Sequence, residues 1–64
     1  MKVRDVVRIL EDEGWRMVRQ RGSHRQFRHP DKEQRVTVSG NLGDEVPSGT
    51  LASIWRQAGP RRRR

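Results

Sequence analysis

The fold turns on residues 15–39, WRMVRQRGSHRQFRHPDKEQRVTVS. Trp15 to Gln20 is rich in residues that suit a pleated, half-buried surface, and Gly22-Ser23 is a small polar pair of the kind that turns a hairpin. A second strand follows, with Phe27 as its one large apolar side chain. Successive side chains on a strand point to opposite faces, so Arg25 and His29 fall on the Phe27 side and His24, Gln26 and Arg28 on the other. His24 is therefore expected to face solvent. Pro30-Asp31 supplies the next turn, with His29 held extended by the proline after it. Arg35 to Ser39 resumes as a third strand with Val36 and Val38 inward, so the stretch predicts three antiparallel strands.

Amphipathic repeats flank it on both sides. Val3, Val6, Val7 and Leu10 fall at i, i+3, i+4 and i+7, one stripe of a helix, while Arg4, Arg8, Glu11 and Asp12 occupy other faces. Gly14 tolerates the conformation that ends such a helix, so the spacing predicts helix 1 over 3–13. Beyond the strands, residues 40–47 carry Gly40, Asn41, Gly43 and Pro47 without a period and read as a loop. Leu51, Ile54, Trp55 and Ala58 then repeat at helical spacing before a Gly59-Pro60 stop, predicting helix 2 over 49–58. Ser48-Gly49-Thr50 at its start suits helix capping, or phosphate capture by free amides. The order α-β-β-β-α makes an α+β domain, and both apolar stripes are covered most economically if the helices share one face of the sheet.

A chain of 64 residues can bury only one small core. The absence of cysteine leaves no disulfide or thiolate zinc site to staple it, so stability must come from packing or from a partner. No apolar run exceeds two residues, which argues against a membrane span or a signal peptide and makes a cytoplasmic protein the expectation. Net charge is +7, which favours polyanionic partners and nucleic acid first among them. Four of those charges are Arg61 to Arg64. Without them eleven basic residues stand against eight acidic ones, or +3, so the division expected is a mildly basic domain over 1–59 and a basic, disordered tail over 60–64.

The chemical inventory is short. There is no cysteine or tyrosine, and no serine or threonine sits in an identifiable histidine–carboxylate arrangement. His24 and His29, five apart on one strand, point to opposite faces and cannot share a metal, so neither metal nor other cofactor is expected. What remains is one exposed histidine among Arg19, Arg21, Arg25 and Arg28, which spacing alone does not distinguish from an ordinary surface residue. Trp15, Phe27 and Trp55 read as core before they read as base-stacking platforms.

The combination of Gly14-Trp15, Val18-Arg19, Gly22-Ser23-His24-Arg25-Gln26-Phe27, His29-Pro30, Val36-Thr37-Val38 and Pro47-Ser48-Gly49-Thr50-Leu51 with Ile54 resembles the HicA (YcfA-like) toxin family over residues 2–59. The resemblance implies a double-stranded-RNA-binding-domain-like shape and the activity of a metal-independent mRNA interferase. It also implies a type II toxin–antitoxin system in which a HicB-like antitoxin neutralises the toxin. The family's catalytic histidine lies in its Gly-Ser-His motif, which carries over to His24. One departure stands out: many members place a histidine after the third strand, where this chain reads Val38-Ser39-Gly40.

The motif suits the chemistry. RNA carries its own nucleophile, the 2′-hydroxyl, so a ribonuclease need only align it with phosphorus, move a proton and stabilise charge. A histidine exchanges protons near neutral pH and arginines hold phosphate oxygens in forked geometry. His24 is the catalytic candidate, and Arg21, Gly22, Ser23, Arg25 and Arg28 form the expected RNA-binding set. Two other classes stay open from sequence: a non-catalytic module that binds RNA by phosphate and 2′-hydroxyl contacts, and a domain whose basic face docks an acidic protein.

Overall fold

The computed structural model describes residues 1–59, and the expected tail over 60–64 lies outside them. The chain runs α1 (Val3–Asp12), β1 (Arg16–Arg21), β2 (His24–His29), β3 (Lys32–Ser39) and α2 (Ser48–Ala58). The strands form one antiparallel sheet in the order β1-β2-β3. Val3, Val6 and Leu10 of α1 and Ile54 and Ala58 of α2 close with Trp15, Phe27, Val36, Val38 and Val46 into one core, so both helices cover the Phe27 face. Val7, Leu51 and Trp55 pack around it. Among the described residues no helix is long and apolar enough to cross a membrane.

Each helix end has a local cause. At the end of α1 the Trp15 amide donates to the Leu10 carbonyl at 3.0 Å and Gly14 adopts φ +98°, a glycine-terminated stop that swings Trp15 into the core. A Cβ on Gly14 would stand 2.9 Å from His29 Nε2, so close packing as well as φ requires glycine there. At α2, Pro47 occupies the N-cap position and no side chain caps the helix, contrary to the capping expected of Ser48-Gly49-Thr50. Proline's fixed φ presets the helix entrance, and the Leu51 amide reaches the Pro47 carbonyl at 2.8 Å.

The period-free segment 40–46 is held by the N-terminus. Val3 and Arg4 amides donate to Asp44 and Leu42 carbonyls, and the Val46 amide donates to the Met1 carbonyl. The Met1 ammonium also donates to Glu45, and that bond and its charge, helped by nearby Lys2, hold the Glu45 carboxyl below its ordinary range.

The third strand begins at Lys32, three residues earlier than Arg35. The Pro30-Asp31 turn is tight enough to pair His29 directly with Lys32. The polar run Lys32-Glu33-Gln34-Arg35 carries no apolar alternation, so the pairing has no sequence signature. Two register shifts occur, one on β3 opposite Arg28 and one on β1, where Val18 is an extra residue between the pairs Met17↔Phe27 and Arg19↔Gln26.

Candidate nucleic-acid interface

The bulge at Val18 decides what the outer face of the sheet presents. In a regular strand Arg16 would share a face with Val18 and Gln20, leaving Arg19 and Arg21 behind it. The inserted residue resets the phase, so Arg16 lies opposite Arg28, Arg19 opposite Gln26 and Arg21 opposite His24. Three arginines of β1 thus join the face that carries His24, Gln26 and Arg28. No aspartate or glutamate occurs between Trp15 and Pro30. Among the described residues, no carboxylate ion-pairs with Arg16, Arg19, Arg21 or Arg28.

His24 opens β2 at the hairpin turn and is exposed. Gly22 has φ +58° and Ser23 a negative φ, the combination of a type II′ hairpin turn, which matches the twist of the strands it joins. A Cβ on Gly22 would meet nothing within 4 Å, so the space over the turn is open to a ligand. The Gly22 carbonyl accepts from Gln20 Nε2 at 3.0 Å. Arg19, Arg21, His24 and Gln26 line a depression of about 370 Å³.

The His24 ring is braced from β3. Register places Ser39 directly opposite, and Ser39 Oγ lies 3.0 Å from His24 Nδ1. When Nδ1–H donates to this hydroxyl, Nε2 carries the free lone pair, the tautomer a general base requires. Sequence reasoning missed Ser39, which entered only as part of the Val38-Ser39-Gly40 departure from the resembled pattern. The β2–β3 register is the signal that finds it.

Arg25, expected in the RNA-binding set, is on the opposite face and only 8 % exposed. Its Nη1 donates to the carbonyls of Ser23 at 3.2 Å and Gly40 at 2.7 Å. The Ser23 carbonyl also accepts the Gly40 amide, so Arg25 ties the hairpin turn to the end of β3 instead of presenting charge beside His24. Alternation already put Arg25 on the Phe27 side. Sequence adjacency to His24 outweighed that in the expectation, and the burial corrects it. Arg21, Gly22 and Ser23 do gather at His24, whereas Arg28 shares its face at the far end of the sheet.

His29 lies apart from His24. Its ring stacks edge-on to Trp15 with centroids 5.2 Å apart, Nδ1 accepts from the Asp31 amide at 3.0 Å, and Nε2 is 3.0 Å from the Glu13 carbonyl. An Nδ1 that accepts leaves the proton on Nε2 to donate, so both ring nitrogens are spent on backbone. Trp15 and Phe27 are buried and Trp55 half-buried, as expected of core aromatics. Among the described residues no cluster of three His, Cys, Asp or Glu is placed to hold a metal ion.

A model of the family described as HicA toxin of bacterial toxin–antitoxin matches residues 3–59. Comparison with curated proteins gives no match.

Proposed function

The chain belongs to the HicA toxin family of bacterial toxin–antitoxin systems, and from that membership and the geometry at His24 we propose that it is a metal-independent endoribonuclease acting on cytoplasmic mRNA. The observation that carries the proposal is His24 itself: exposed, braced at Nδ1 by Ser39, and set beside Arg19 and Arg21, neither of which ion-pairs with a carboxylate among the described residues. His24 Nε2 takes the proton of a 2′-hydroxyl, whose oxygen forms a bond to the adjacent phosphorus. The P–O5′ bond breaks and the leaving 5′-oxygen takes a proton from water. Arg19 and Arg21 hold the non-bridging oxygens, where added charge develops. The open Gly22-Ser23 turn lets the RNA backbone come close.

An always-active nuclease would kill its host, so the HicB-like antitoxin is expected to cover His24 with acidic or polar groups and to block RNA sterically. The test is labelled RNA incubated with the purified protein in excess chelator, with and without the antitoxin. Cleavage that survives chelation and stops on addition of antitoxin supports the proposal. RNA binding without cleavage would make the chain a binding module, and antitoxin binding without RNA binding a protein-interaction domain.

A further inference from the structure

At the end of the outer face remote from His24, Arg16 and Arg28 stand directly opposite each other across β1 and β2. Like charges in that position repel and cost stability unless something neutralises them. Neither makes an ion pair among the described residues. They border a depression of about 670 Å³ with Val18 and the turn His29 to Glu33, larger than the one at His24. The turn contributes Asp31 and Glu33 to its lining, so the carboxylate-free stretch of the face ends at this depression. The Arg19–Gln26 pair of the His24 depression is the next on this face toward Arg16 and Arg28, and Gln26 accepts from Arg35 Nη1 at 3.3 Å. The Val18 bulge is what brings Arg16 onto this face at all.

We propose that Arg16 and Arg28 form a second phosphate subsite, which holds another phosphodiester of the RNA strand bound at His24. This rests on the reading of the outer face as an RNA surface and adds to it where the strand runs. Arg28 is four residues from His24 along β2, or ~13 Å at the rise of a strand. A stacked nucleic-acid strand covers that in about four nucleotides at ~3.4 Å each and a stretched one in fewer, so the second linkage lies about two to four from the first. The guanidinium pair takes it as a fork on either side of one phosphate, relieving the repulsion between them. The strand therefore follows β1 and β2 lengthwise instead of crossing the sheet.

The test uses 2′-O-methyl oligouridylates of increasing length, which lack the nucleophile and stay intact on the unmodified protein. The parent gains affinity as the oligomer grows long enough to reach from His24 to the second subsite. The Arg16→Gln/Arg28→Gln protein binds the shortest oligomers nearly as the parent does, then falls behind roughly tenfold once the span is reached. Its salt slope for the long oligomer drops by about 0.7, one phosphate contact. Thermal unfolding is the folding control, since both side chains are exposed. Equal affinity at every length, or an equal loss at every length, overturns the subsite. Because no cleavage is read, the subsite can stand though the protein proves inactive, and can fail though it cuts RNA.

Discussion

Arg25→Met separates a buried brace from a surface RNA contact. Methionine keeps most of the aliphatic stem but removes every donor, so the Gly40 carbonyl loses its guanidinium partner at 2.7 Å while the Ser23 carbonyl keeps the Gly40 amide. Losing this part-buried hydrogen bond from a charged group costs about 1.5–3 kcal/mol. In a domain this small each kcal/mol lowers Tm by about 4–8 °C, so the expected loss is readily measured. The salt dependence of RNA binding, measured below the new Tm, stays where it is because no exposed charge has been removed. Arg21→Gln gives the reverse pattern, with Tm nearly unchanged and the slope lowered by about 0.7. Thermal unfolding and fluorescence anisotropy over a salt series read both quantities. An Arg25→Met protein of parental Tm, or one with a flattened salt slope, refutes the assignment of Arg25 to the interior.

Two other substitutions follow from particular contacts. Ser39→Ala removes the partner of His24 Nδ1; one hydrogen bond of about 0.5–1.5 kcal/mol lowers kcat about two- to tenfold and displaces the pH–rate profile. Ser39→Thr retains most of the activity, and parental kinetics and pH profile for the alanine protein would remove Ser39 from the site. Gly14→Ala places a Cβ 2.9 Å from His29 Nε2 at φ +98°. It is expected to cost at least about 1 kcal/mol of stability by denaturant unfolding, with the specific activity of the folded fraction preserved.

What the sequence revealed and what it concealed divide on physical grounds. The helices were legible because Val3, Val6, Leu10 and Ile54, Ala58 repeat with the helical period, and β2 because Phe27 fixes which face is buried. That single anchor sufficed to send His24 outward and His29 inward. The bulge at Val18 was not legible: Met17 and Val18 are adjacent apolar residues, both exposed, and give no phase from which to learn that Arg16 joins Arg19 and Arg21. The early start of β3 was hidden in a polar run whose pairing comes from the Pro30-Asp31 turn. Ser39 depends on cross-strand register, a tertiary quantity. Family resemblance named His24, but only the register shows what stands beside it.

The most direct test is a paired measurement on His24→Ala: thermal unfolding alongside RNA cleavage at equal protein concentration, with His29→Ala as control. His24 is exposed and contributes little packing, so its loss leaves Tm near the parental value. General acid–base groups contribute ~10²–10⁴-fold, so cleavage falls to near background and cells expressing the variant grow. His29→Ala, which gives up the Trp15 contact and both backbone hydrogen bonds, lowers Tm while its folded fraction still cuts. A His24→Ala protein that stays folded and cleaves RNA at the parental rate would contradict the account.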